Sequence, residues 1–188
     1  MKIIKKHLRV QLILLIVLTF LLTNCKQETE TVFITPNISV NLPNNYKYFI
    51  SHSTGSYRTN PELIVKNKLY NYRAIVNQDE IIMSNTITDE FDTLGLNEKK
   101  AKLKNSFTKG FVKGFNGIKL TSEEKEINGL AQSEFNFEFE KKDTLFVLYG
   151  RLIIQDTNLI FIGYKTKLPS TNRSIKNKDD FFKSIKYN

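Results

Sequence analysis

The 188-residue chain has no tryptophan, one cysteine, two histidines and four prolines. A lone cysteine excludes an internal disulfide framework. Structural zinc needs several Cys or His ligands. Beyond residue 24 only Cys25 and His52 are available, so no metal site is expected. A Ser-His-Asp arrangement would have to use His52. That residue sits between Ser51 and Ser53 in a stretch, His52 to Pro61, that reads as a loop, and no Gly-x-Ser-x-Gly elbow occurs. Phosphate-binding loops and dinucleotide fingerprints are also absent, so no cofactor is expected. Long apolar runs are missing too. The longest, Val10 to Leu22, is thirteen residues broken by Gln11 and Thr19, short of the roughly 20 that cross a membrane as a helix.

That short run has a definite setting. Lys2, Lys5, Lys6 and Arg9 precede it, and Leu22-Thr23-Asn24-Cys25 follows. A basic start, a short apolar middle and a small-residue boundary form a secretory signal. The boundary resembles a bacterial lipoprotein box, with Asn24 where Gly, Ala or Ser is usual. The resemblance implies cleavage before Cys25, diacylglycerol on its sulfur and acylation of the new amino terminus. Several acyl chains hold a bilayer firmly where one does not. Residues 1–24 are thus read as signal peptide and residues 25–31, polar throughout, as a lipidated tether. Lys26 replaces the Asp that retains enterobacterial lipoproteins in the inner membrane. Glu28 and Glu30 resemble, in weak form, the acidic stretch of surface-displayed Bacteroidetes lipoproteins. Together these imply a cell-envelope location, lipid-anchored at the outer membrane, on its periplasmic or outer face.

The formal charge is +9, and removing the four basic residues of 1–24 leaves 24 basic against 19 acidic. The lysines are dispersed and the chain is exported, so nucleic acid is not an expected partner. Residues 32–188 fit a single domain, and thirteen of the chain's fourteen Phe and all eight Tyr fall in it to supply a core.

Ile38, Val40 and Leu42 alternate with polar residues, as in a half-buried strand. Tyr46, Tyr48 and Ile50 continue in extended form, and further strands are expected over Tyr70 to Val76 and Ile81 to Ile87. Asn97 is read as the N-cap of a long amphipathic helix. Ala101, Leu103, Phe107, Phe111 and Phe115 make its apolar stripe. Asn128-Gly129 is a hairpin signal. Phe135, Phe137 and Phe139 alternate with Glu and Asn, so one face of that strand covers a core and the other is wet. Leu145 to Ile154 is nearly continuous apolar strand with a bend at Gly150, and Leu159 to Tyr164 returns. Asn177 to Ser184 is read as a short helix with Phe181, Phe182 and Ile185 on its apolar side, and a closing strand is expected at Ile185 to Tyr187.

The order of these elements resembles the PsbP/Mog-like family. Its features here are Leu42-Pro43 at a strand end, the long helix, the meander from Gly129, Leu168-Pro169, and Phe-Phe-x-Ser-Ile at Phe181 to Ile185. The resemblance implies an α+β fold. Its architecture is an α/β/α sandwich with a central, mainly antiparallel sheet, a long amphipathic helix and a short C-terminal helix. Members work mainly as binding or assembly factors, and no catalytic residues are carried over.

Other motifs are weaker. Ser106-x-x-Lys109 and Ser122-x-x-Lys125 match the Ser-x-x-Lys of penicillin-binding enzymes without its partner motifs. Asp89, Glu90 and Asp92 lack the spacing of a calcium loop and read as a solvated turn. Tyr46, Tyr48, Tyr57, Tyr70 and Tyr72 form the candidate binding surface, since tyrosine joins apolar area to a polar tip. The expected function is a lipid-anchored, non-catalytic binding or assembly module that contacts the membrane through Cys25 and a protein or small ligand through its surface. The alternatives are an envelope hydrolase built on carboxylates or His52, and a purely structural anchored domain.

Overall fold

A computed structural model describes the backbone of residues 29–43, 47–60, 63–76 and 79–188, and the side chains of 29–42, 73–75 and 79–188. Cys25 and Tyr46 lie outside the described residues. The fold is α+β and mostly antiparallel sheet. A seven-stranded sheet has the order β3 (Lys47–Asn60), β4 (Leu63–Val76), β5 (Asp79–Ile87), β9 (Asn158–Lys167), β8 (Thr144–Gln155), β7 (Leu130–Lys141), β6 (Ile118–Ile127). A three-stranded sheet has the order β1 (Thr29–Thr35), β2 (Ile38–Pro43), β10 (Lys186–Tyr187). β1 starts inside the stretch read as tether, whose last three residues are strand.

Chain order explains where the long helix lies. β5 ends near the middle of the sheet, and β6 begins at its far edge. The helical segment between them carries the chain across one face. The meander β6–β7–β8–β9 then returns to pair β9 with β5. Two of its turns have both central residues at positive φ, Asn128 and Gly129 at 52° and 77°, Lys142 and Asp143 at 50° and 56°. That conformation matches the twist of two-residue hairpins.

The helical segment is not uniform. It runs as α1 (Leu96–Lys102), a π-helical stretch (Leu103–Thr108) and α2 (Lys109–Gly114). A strict four-residue repeat outruns the 3.6-residue turn by about 40° per step. The wider π turns take up that drift and keep the stripe Leu103, Phe107, Phe111 and Phe115 against the sheet. The N-cap is Gly95, not Asn97. The Glu98 carboxylate accepts from the Gly95 N–H at 2.8 Å, which draws the helix start two residues earlier.

Two cores lie on opposite faces of the large sheet. On one, Phe91, Leu103 and Val112 pack on Phe135, Phe137, Phe139, Leu148 and Phe161. On the other, Ile38, Val40 and Leu42 of the small sheet and Phe181 of α3 (Asn172–Lys183) pack on Ile81, Ile162 and Tyr164. β8 serves both, with Leu152 and Ile154 toward the helix and Ile153 toward the small sheet. Its nearly continuous apolar run follows from that.

Gly150 is not a bend. Its register with Phe135 and Gly163 is unbroken, and a Cβ there would lie 2.5 Å from the Phe135 ring. The ring lies over the bare backbone. Gly150→Ala should cost about 1–3 kcal/mol by overpacking, read as a lowered urea midpoint.

The segment from His52 onward, expected as loop, is strand. β3 pairs with β4 along nearly its whole length, with His52 opposite Tyr70. Strand β4 begins at Leu63, earlier than the expected Tyr70. The last helix starts at Asn172 rather than Asn177, where Thr171 Oγ1 accepts from the Ser174 N–H at 3.1 Å.

Candidate binding groove

The site follows from where the second layer stops. The small sheet and α3 cover β5, β9, part of β8 and the start of β7, while the same face of β7 from Glu134 onward and of β6 is left open. Alternation along β7 places Gln132, Glu134, Asn136 and Glu138 on that face, opposite the buried Phe row, with Gln132 itself buried. The groove there has a volume of about 410 Å³. Its floor comes from β6, β7 and β8, and its wall from Lys178, Asp179 and Phe182 of α3.

Strand register sets the floor residues side by side. Glu123 lies opposite Glu134, which lies opposite Arg151. Thr121 lies opposite Asn136, which lies opposite Tyr149. Arg151 Nε is 3.0 Å from Glu134 Oε1, and its guanidinium sits 5.1 Å from the Phe182 ring centroid. Lys178 Nζ lies 4.5 Å from the Tyr149 ring centroid and 3.0 Å from Asp179. Two cations are thus held over two aromatic rings, an arrangement that fixes both the ring and the charge.

Glu134 is the hub. It takes Lys125 Nζ at 2.8 Å, Arg151, and a hydrogen bond from Gln132 Nε2 at 3.0 Å. Its carboxylate oxygens are thus occupied by donors from three neighbouring side chains. Lys125 is held above the usual lysine range by Glu134 first and then Glu123. Behind the groove the Tyr187 hydroxyl donates to Gln132 Oε1 at 2.6 Å. Burial pushes its phenol up, an effect Arg151 partly offsets. The arrangement offers donors and acceptors in alternation, suited to holding a polar ligand or a polar patch of a partner.

The sequence-derived tyrosine surface lies elsewhere. Tyr48, Tyr70 and Tyr72 fall on β3 and β4, at the sheet edge opposite the groove. Register places them on the face shared with Ala74, together with His52. Tyr57, opposite Val65, falls on the other face. The four whose backbone is described therefore do not all share one face. Arg151, Tyr149 and Lys178 were not among the sequence candidates. The available signal was Tyr-Gly-Arg at 149–151, which interrupts an otherwise apolar run. Among the described residues no group of three or more His, Cys, Asp or Glu side chains converges as metal ligands. No helix there is long and apolar enough to cross a membrane.

No protein-family model and no curated protein matches the chain. A crystal structure from Bacteroides thetaiotaomicron is similar over 83% of this chain and 47% of its own, with TM-score 0.46 and 9% identity. This chain therefore spans about half the length of that protein. The protein of unknown function PA94 from Pseudomonas aeruginosa is similar over 81% of this chain and 94% of its own, with TM-score 0.32 and 10% identity.

Proposed function

We propose that the chain is a lipoprotein of the bacterial envelope, tethered through lipid on Cys25, whose folded part is a non-catalytic binding or assembly module. In this reading residues 1–24 are removed, and residues 32–188 with the start of β1 form one PsbP/Mog-like domain of the α/β/α type at the outer membrane. It takes no cofactor, and its partner is a protein or a small ligand.

The observation that carries the binding role is the groove on β6–β8 and α3. Its charged groups are tied to one another around Glu134, so it presents a fixed polar surface rather than a loose set of side chains. Pre-organised surfaces lose less entropy on binding. A photo-crosslinking residue placed at Tyr149 in cells tests the role. It should give a defined adduct that Arg151→Glu removes, while the same residue at Asn158 gives none. Adducts at both positions, or an adduct indifferent to Arg151→Glu, would contradict it.

A further inference from the structure

We propose that the tip of the β7–β8 hairpin, with Leu145 at its base, rests on the phospholipid headgroup layer and sets the orientation of the domain on the membrane. The inference depends on Cys25 being the lipid-bearing residue.

Tether length comes first. Cys25 and Thr29, the first residue of β1, are four Cα steps apart, at most about 14 Å when fully extended. The start of β1 is therefore held close to the bilayer. The next point is which end of the large sheet lies there. Thr29 pairs with Pro43, and Pro43 is four steps along the chain from Lys47, which pairs with Ile75. At its other end β1 reaches Thr35, whose Oγ1 donates to Gln155 Oε1 at 3.1 Å, beside the β8–β9 turn. The membrane-proximal end is thus the one marked by the row Ile75, Glu80, Lys165 and Leu148.

Past that row β8 extends back to Thr144, opposite Lys141 of β7. Those four residues add about 13 Å at 3.3 Å per residue. Among the described residues the hairpin tip is accordingly the most advanced point of this end along the strands. It carries Lys141 and Lys142, both exposed, and Leu145, 37% exposed. The Leu168 N–H donates to the Leu145 carbonyl at 2.9 Å, which brings the exposed Lys167 and Pro169 alongside. Among the described residues Lys141, Lys142 and Lys167 form no ion pair, and the acids beside them are Glu140 and Asp143. A leucine framed by lysines suits the headgroup boundary: the ammonium groups meet phosphates while the apolar side chain reaches the acyl edge.

The test uses the full lipidated chain in vesicles of phosphatidylethanolamine and phosphatidylglycerol carrying a nitroxide near the top of the acyl chain. Leu145→Cys and Thr157→Cys are each labelled with an environment-sensitive maleimide fluorophore, Thr157 marking the opposite end of the sheet. Quenching should be several-fold stronger at 145 than at 157, with the unsubstituted chain taking no label because Cys25 is acylated. Equal quenching at the two positions, with Cys25 still unreactive, overturns the docking and leaves the anchor standing. Label on Cys25 of the unsubstituted chain overturns the anchor and the docking with it.

Discussion

Phe137→Ala should lower the unfolding free energy by about 3–5 kcal/mol, the range for truncating a fully buried aromatic. Phe137 has no exposed surface. Its ring lies between Phe135 and Phe139 on the same strand, at 6.2 and 5.8 Å between centroids, and under Phe111 and Phe115 of the helical segment, at 6.5 and 5.7 Å. A Cβ at Gly117 would come within 2.4 Å of it, so the chain leaving α2 closes over the ring. Removing it opens a cavity that four stiff neighbours cannot collapse into. Natural domains have only about 5–15 kcal/mol in hand, so the variant loses a large share of its stability. Phe33→Ala is the control. Phe33 is 58% exposed, and its loss should fall within about 0.5 kcal/mol. Urea denaturation of both variants reads the difference. A loss under about 1 kcal/mol at Phe137 would contradict the description of this core.

Glu80→Ala should cost about 3 kcal/mol, the lower end of the range for breaking a buried ion pair by removing one partner. Glu80 is buried on β5, and Lys165 lies directly opposite on β9. The carboxylate accepts from both Lys165 Nζ and Arg73 Nε. Lys165 also lies 5.3 Å from the Phe146 ring centroid, with little water to replace Glu80. Arg73 is half exposed and recovers its hydration, which keeps the cost toward the lower end. The pH dependence has a definite sign. Burial alone would raise the Glu80 carboxyl, but the hydrogen bonds and charges of Lys165 and Arg73 outweigh it and hold the group below its ordinary value. A lowered folded-state value means stability is fully present above the ordinary carboxylate range. It is lost as pH falls through the lowered value. Thermal unfolding across acidic pH should therefore fall less steeply in Glu80→Ala than in the parent chain. Parallel curves would contradict the coupling.

Local pattern was enough wherever one segment's own residues decide its state. The Phe-x-Phe-x-Phe of β7 can only be a strand with one buried face, and Asn128-Gly129 can only be a tight turn. Phe181, Phe182 and Ile185 likewise mark a terminal helix running into a strand. The sequence was silent where a neighbour decides. Residues 52–60 are, apart from His52 and Tyr57, Ser, Thr, Gly, Asn and Arg with little apolar alternation. They are strand because β4 supplies a partner over that whole length, a tertiary effect that outweighs weak local preference. The π turns of 103–108 arise from holding a four-residue repeat against one sheet face. The early helix start arises from one carboxylate reaching back to Gly95. The groove was half visible. Alternation along β7 marks a wet face, but which part of that face stays open depends on where the small sheet and α3 end. Arg151 gains its meaning only from Glu134 across the ladder and Phe182 across the layer.

These pieces form one account. The small sheet and the helical segment cover opposite faces of the large one; in the proposed reading a short tether brings the chain to a bilayer and the uncovered part of one face binds. Everything about place, and much about role, depends on Cys25. Mass spectrometry of the protein from the membrane fraction tests that point most directly. The account predicts an amino-terminal peptide that begins at Cys25 and carries the added mass of a diacylglycerol and an acyl chain. An amino-terminal peptide that begins at Met1, with an unmodified Cys25 thiol, would contradict it.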